Sequence, residues 1–416
     1  MTIAPETGPL RLALHGGGPV RAERRPANPL ISDAAKAEVV EVLESGTLAQ
    51  FYGGSRVRRF ESAYASCFQR KHAIAVSSGT AALHLAYLAA RLPSGSEALL
   101  PANAYVSAAS AMIQAEIVPV IVDIDPLTGA MDPEDCARKI TDRTRMLVPV
   151  HMYGQPCPMP ELTALASRHG LVVIEDCGQS HGAPSAGRLT GTFGLAAAFS
   201  LCCRKHIAVG EGGMVITDDD AFAETVRALA HKGKGEDWFD YREMGYSYNL
   251  TEVQAVLGLH QLARLDEELR TRARWAARLR EELAGLELTF PVVHDGSAHA
   301  YFKLNTLVPT GLTSWRDEIV EAIRAEGVGC DPSHPCLTDI GWLRDQRPPL
   351  FTRLPDGHRP DYRAEAVPVA SDVLARQVCI ELGPGLGEDD ITATSAAVRK
   401  VMAYYLRTHD LPGRVS

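Results

Sequence analysis

Lys205 stands in a short basic run, Arg204-Lys205-His206, between an apolar segment ending in Phe199-Ser200 and the glycine-rich turn Gly210-Glu-Gly-Gly213. A lysine amine held in such a turn and withdrawn from water loses proton affinity, because burial disfavours its charged form, and becomes a nucleophile toward carbonyl carbon. Most loop lysines are simply solvated, so the run takes its meaning from two other segments. Leu171-Val-Val-Ile-Glu175-Asp176 is an apolar stretch ending in two carboxylates, followed by Cys177-Gly178-Gln179-Ser180-His181-Gly182. In open α/β sheets ligands lie beyond the carboxyl ends of the strands, which puts Asp176 against one, although the same residue could equally cap the next turn. His181 reads as a structural, hydrogen-bonding histidine, since no second His or Cys stands at ligand spacing, and no metal site is expected. Ala73-Ile-Ala-Val-Ser-Ser78-Gly79-Thr80 runs through small polar residues into an apolar-faced helix. The free N–H groups of a helix start, with the Thr80 hydroxyl, can cradle an anion; read by itself the junction is an ordinary capped turn.

Positioning these groups requires a sheet. Seven short, mostly continuous apolar runs, at 73–77, 97–100, 118–124, 146–151, 171–175, 196–201 and 214–217, suit strands covered on both faces, with helix-compatible stretches at 80–91, 106–115 and 160–169 between them. The expectation is an α/β chain with a large, mostly parallel seven-stranded sheet domain over 31–275 and a smaller α/β domain over 276–416. Thr251-Glu-Val-Gln254 has the form of a capping box, and the apolar residues after it recur at three-to-four spacing to Leu283, which predicts one long helix bridging the two domains. A strand over 302–308, a helix over 314–326 stopped by Gly327, and a last helix after Glu388 complete the smaller domain. Residues 1–30, with Gly16-Gly17-Gly18-Pro19, read as an arm that packs on something else; the triple glycine follows no strand and is a weak phosphate-loop signal.

Composition narrows the function classes. The 416 residues are 46% hydrophobic and 22% charged, enough apolar material for a large core and incompatible with wholesale disorder. A net charge of −9 without like-charge blocks argues against a nucleic-acid or polybasic membrane surface. No clean run of about 18 apolar residues exists, so no membrane span is expected. Nine cysteines, an odd number without a Cys-x-x-Cys pair, and no export signal fit a reduced, cytoplasmic protein. Cys202 and Cys203 lie close to Lys205 and carry no assigned role; buried cysteines usually act as small hydrophobes.

In this order the segments resemble the DegT/DnrJ/StrS family of sugar and cyclitol aminotransferases, pyridoxal phosphate enzymes with the aspartate aminotransferase fold, type I. The resemblance also takes in Pro101-Ala-Asn-Ala-Tyr105, Val122-Asp-Ile-Asp125, Val148-Pro-Val-His151-Met-Tyr153-Gly154-Gln155-Pro156, Thr251-Glu-x-Gln254 and Pro384-Gly385-Leu386-x-x-Asp389-Asp390, and so covers nearly the whole chain. It implies that Lys205 forms the Schiff base with pyridoxal phosphate and shuttles the proton, that Asp176 holds the pyridine nitrogen protonated, and that Gln179 lies beside the ring oxygen. It further implies that Tyr105 stacks on the ring and that Gly79, Thr80 and Ser200 bind the phosphate. The family's Asn-x-Arg before the Thr-Glu-x-Gln helix is here Ser247-Tyr-Asn249, and Glu381 and Gly383 stand where a Pro and an aromatic or His are common. Ser247 then replaces an Asn that reaches the phosphate of a neighbouring subunit, in a homodimer with shared active sites. The implied reaction takes an amino group from glutamine or glutamate to a cyclic ketone. Gly17-Gly18-Pro-Val-Arg21 and the short Lys205-to-Gly210 spacing look like the branch acting on keto-cyclitols such as scyllo-inosose in aminoglycoside-type biosynthesis. A nucleotide-linked keto-sugar is the alternative acceptor. A pyridoxamine-dependent sugar dehydratase, with His in place of the lysine, and a non-catalytic partner subunit are the rival readings.

Overall fold

The computed structural model describes residues 11–24, 29–235, 239–355 and 357–409. Its centre is a seven-stranded sheet of β1 (His72–Val76), β2 (Glu97–Pro101), β3 (Val118–Val122), β4 (Thr144–Leu147), β5 (Val172–Asp176), β6 (Ala196–Ser200) and β7 (Gly213–Thr217). The spatial order is β1-β7-β6-β5-β4-β2-β3, with β7 antiparallel to both neighbours and every other pair parallel. The carboxyl ends of β1, β2, β4, β5 and β6 therefore share one edge. All seven apolar runs become strands, displaced by two residues or fewer at their starts, because a run covered on both faces needs no alternation to be legible.

The helix Gly79–Ala89 is buried along nearly its whole length, which explains why its sequence is apolar on all sides. Ser78 caps it by accepting from the Ala81 N–H at 3.0 Å. A β-carbon on Gly79 would stand 2.6 Å from the Ser200 Cβ, and one on Gly213 would stand 2.2 Å from the Ser78 carbonyl oxygen. Only glycines let this helix start sit against the ends of β6 and β7.

A second core surrounds a three-stranded antiparallel sheet, β8 (Lys303–Leu307), β9 (Cys330–Pro332) and β10 (Gln377–Glu381), in the order β8-β10-β9. The helices Arg316–Ala325 and Glu388–Thr408 pack on it. The segment from 333 to 376 does not belong to that core: Leu337, Leu343, Phe351, Val367 and Leu374 are buried with residues of the large sheet and its helices. Val369 and Ala370 donate backbone N–H groups to Asp123, beyond β3, at 3.0 and 2.7 Å, and so cap the helix Pro368–Arg376 against the large sheet.

Two expectations are corrected. The helix expected to run unbroken from 251 to 283 is two, Glu252–Leu262 and Leu265–Glu282, joined through Ala263 and Arg264. The Thr251/Gln254 capping box is present, but Ala263 and Arg264 are ordinary helix formers, so nothing local announces the break. Leu265 packs in the large core and Trp275, Ala276 and Leu279 in the second, and that double demand sets the new axis. The arm, where described, packs on the chain's own second core. Leu12 is fully buried there, the Ala13 and Val20 N–H groups donate to the Glu326 carboxylate at 2.9 and 3.0 Å, and Arg21 pairs with Asp390. Gly16 has φ +81°, and a β-carbon on Gly17 would meet the Arg11 carbonyl oxygen at 2.2 Å. The triple glycine makes a tight backbone turn and is no phosphate loop.

Glu326 is fully buried and also receives Lys400 Nζ at 2.8 Å. Glu326→Ala removes the acceptor of two backbone donors and one cation, and we expect a loss of about 2–4 kcal/mol in urea unfolding together with new proteolysis between residues 11 and 24.

Candidate active site

At the shared edge of the large sheet lies a cavity of about 530 Å³. Gly79, Thr80, Tyr105, Asp176, Gln179, Ser200 and Lys205 all line it, brought from four separate segments. Ser247 does not. It lies on the surface, paired with His231 across an isolated bridge.

β5 delivers two carboxylates to opposite faces. Glu175 is fully buried and accepts from the N–H groups of Gly191, Phe193 and Gly194 at 2.7, 2.7 and 2.9 Å, with His151 Nε2 at 3.3 Å. Burial works to raise its carboxyl, but His151 and these N–H donors outweigh it and hold the group below its usual range. His151 Nδ1 accepts the Cys157 N–H at 3.0 Å, so both ring nitrogens are committed. Cys177 completes a buried trio with His151 and Glu175 whose ligand atoms are close enough for a metal, but the carboxylate and imidazole are already engaged as structural ties.

Asp176, the next residue, faces the cavity and, among the described residues, accepts only the Gly178 N–H, at 3.0 Å. Burial raises its carboxyl, opposed by that N–H and by Lys205. Lys205 borders the cavity, its Nζ 4.4 Å from the centroid of the Phe302 ring. Burial lowers its amine to about 8; Asp176 works against the fall and Lys303 with it. The amine that the sequence marks as a nucleophile is thus neutral in a useful fraction near neutral pH.

Gln179 is oriented by the Tyr153 N–H, which donates to its Oε1 at 2.8 Å. Tyr105 precedes the helix Val106–Gln114 and stands edge-on to His334, ring centroids 5.0 Å apart. His334 lies parallel to Tyr153 at 5.9 Å. Lys303, Asp331 and His334 line the cavity from the C-terminal segment. Sequence reading missed them: the strand carrying Lys303 was expected but nothing local turns it toward the cavity, and β9, with Asp331, is three residues long and announced by no spacing. Glu381, one of the positions that departs from the family, is the anion for Arg24 at 2.7 Å and Arg204 at 3.1 Å. Cys202 and Cys203 also border the cavity, Sγ atoms 3.8 Å apart, so Cys203 is exposed rather than a core hydrophobe.

His181 is corrected as well. It is fully buried and, among the described residues, neither ring nitrogen has a hydrogen-bond partner; burial lowers it to about 3, which keeps it neutral.

The model of the DegT/DnrJ/EryC1/StrS aminotransferase family matches residues 29–399. The chain belongs to that family. It is 34% identical to the L-glutamine:2-deoxy-scyllo-inosose aminotransferase of Streptomyces fradiae, over 94% of this chain and 98% of that protein. It is 35% identical to the GDP-perosamine synthase of Caulobacter vibrioides, over 74% and 84%. Its fold superposes on the aminotransferase from Psychrobacter cryohalolentis with TM-score 0.82 and 30% identity, covering 92% of this chain and 99% of that one.

The protein is a pyridoxal-phosphate-dependent aminotransferase, taking an amino donor and a keto acceptor. The residues present fit that cofactor. An enclosed lysine with a lowered proton affinity faces the cavity, Asp176 keeps acceptor capacity unused, and the glycine-cleared start of the Gly79–Ala89 helix offers N–H groups to a phosphate. Among the described residues no helix is long and apolar enough to cross a membrane.

Two measurements follow. Capture of pyridoxal phosphate by the cofactor-free protein needs neutral Lys205, so its second-order rate should fall about tenfold per pH unit below about 8 and level off above it. Asp176→Asn removes the anion that props the amine up, and the inflection should move to lower pH. Gly79→Ala should weaken cofactor binding by at least roughly tenfold, and Ser200→Gly in the same chain should recover part of the loss by removing the opposing carbon; equal affinities in a fluorescence titration would reject the cradle.

Proposed function

We propose that this chain moves an amino group from glutamine or glutamate to a keto-cyclitol of the scyllo-inosose type, in aminoglycoside-type biosynthesis, working as a homodimer. The charge of the cavity carries the acceptor assignment. Apart from Lys205, its cations are Lys303, paired with Asp331, and Arg204, paired with Glu381. An uncharged polyol ketone suits such a balanced lining, whereas a nucleotide diphosphate calls for cations in surplus. The near-complete coverage of the inosose aminotransferase supports the same reading. A nucleotide-linked keto-sugar is the second reading, favoured by the 35% identity to a GDP-perosamine synthase.

Pyridoxal phosphate, when bound, supplies an aldehyde that takes up amines and a ring that draws electrons from the carbon losing its proton. Lys205 would hold the aldehyde, Asp176 the ring nitrogen, Gln179 the ring oxygen side and Tyr105 the ring face. Gly79, Thr80 and Ser200 would hold the phosphate. Displaced by the donor, Lys205 Nζ takes a proton as base and returns it as acid, and its nearness to neutrality suits both roles. Phe302 and the paired Lys303 and Asp331 border the cavity on the side of that amine.

The dimer is supported by surface chemistry. Phe239, Tyr241 and Met244 are exposed in the loop that leads to Ser247, and Phe51 stacks on His231, its bridge partner. A patch of large apolar side chains beside an exposed hydroxyl fits a second copy of the chain that receives Ser247 in its own site.

Lys205→Ala should bind pyridoxal phosphate without turnover, a loss of at least ~10²-fold in kcat. With glutamine as donor, wild type should aminate an inosose at least about tenfold more efficiently in kcat/KM than a nucleotide keto-sugar; the reverse ratio moves the assignment to the second reading. Light scattering at assay concentration should give twice the chain mass.

A further inference from the structure

A second, smaller cavity of about 40 Å³ lies where β8 and β10 meet the turns that follow β2 and β4. Four amide side chains line it: Asn103, Gln155, Asn305 and Gln377. Each is at least nine-tenths buried, and in each the carbonyl oxygen, Oδ1 or Oε1, has no hydrogen-bond partner among the described residues. An orphaned buried acceptor has lost its hydration without replacement, and four around one cavity form a pattern rather than a lapse. Asn103 Nδ2 donates to the Gly129 carbonyl at 2.8 Å and Gln155 Nε2 to the Val292 carbonyl at 2.9 Å. Their orientations are thereby set, and oxygen is what both leave unpaired. The hydroxyls of Thr128 and Thr306, also in the lining, are spent on Asp125 and on the Thr289 carbonyl. No lining residue carries a charge.

We infer that this cavity binds a monovalent cation of potassium or ammonium size through the four amide oxygens. Neutral oxygen donors without a carboxylate suit a weakly hydrated monovalent ion, whereas magnesium and calcium are held by carboxylates and retained waters. The volume is large enough for one such ion with a water, since a single water needs about 10–15 Å³ by this measure.

Occupancy bears on the active site through a short chain of contacts. Met152, Tyr153 and Gln155 line the small cavity; the Tyr153 N–H orients Gln179, and the Tyr153 carbonyl accepts the Phe302 N–H at 3.0 Å. Phe302 in turn holds its ring against Lys205 Nζ. Tyr153 has φ +57°, a left-handed conformation that a side-chain-bearing residue adopts only when its surroundings impose it. An ion that draws Gln155 and Asn305 together fixes that turn, joining the large sheet to β8.

The test uses the holoenzyme exchanged into choline chloride, titrated with potassium or ammonium chloride at constant ionic strength. The unfolding temperature should rise saturably by roughly 2 °C or more with either ion. Asn305→Leu and Gln377→Leu should abolish the rise. Rubidium-soaked wild-type crystals should give an anomalous peak among the four oxygens, a reading independent of whether the variants fold. Identical curves in choline and potassium, a response that survives in both folded variants, or a cavity with water and no anomalous signal overturns the inference.

Discussion

The site depends on burying two consecutive carboxylates at the end of β5. Strand geometry sends Glu175 and Asp176 to opposite faces, and the two are satisfied in opposite ways. Glu175 is saturated by three backbone N–H groups and an imidazole, which ties the 191–194 loop and His151 to the sheet. Asp176 keeps one N–H partner and spends the rest of its charge on the cavity. A buried carboxylate with unused capacity is costly unless a cation faces it, and Lys205 is that cation. The same pairing limits how far burial can lower the amine, so the strand that positions the acid also tunes the base.

Legibility followed the range of the interaction. The seven strands were readable because each is a local apolar run, and the Thr251 cap because its partner is three residues away. The break at Ala263 and Arg264 was not, since it comes from Leu265 and Trp275 being claimed by different cores. Strands β9 and β10 were missed for a similar reason: neither is a continuous apolar run, and their pairing is with segments roughly 50 to 80 residues away. The residues that line the main cavity from positions 79 to 205 sit at strand ends and could be named from motif order. Lys303, Asp331 and His334 could not, because they reach the cavity through the second sheet.

Departures from the family pattern have structural partners in this chain. Glu381 is the common anion for Arg24 of the arm and Arg204 at the cavity rim, so it links the first described segment to the residue beside Lys205. The arm's glycines serve the turn that brings Arg21 to Asp390 and Ala13 to Glu326. What reads in sequence as an arm that packs on something else is, where described, part of the second core, and its end helps to fix the charge at the mouth of the site.

The interior beneath Lys205 explains why so few charges set its amine. His206 and His181 are buried with ring centroids 5.6 Å apart, and burial together with Arg272 pushes His206 well down while His181 falls to about 3. Burial keeps both rings neutral near neutral pH. Arg272, also buried, is answered by Glu268 and by the carbonyls of Tyr301, Phe302 and Leu382. A protonated histidine in either position would have driven the Lys205 proton off further; as neutral rings they act as packing of low polarity, and the remaining balance is struck between Asp176, with Cys202 and Cys203, on one side and Lys303 on the other. Lys303 is itself held by Asp331, on β9. The amine's proton affinity is therefore set jointly by the two sheets, and a change in how they meet alters the chemistry without touching a residue of the large sheet.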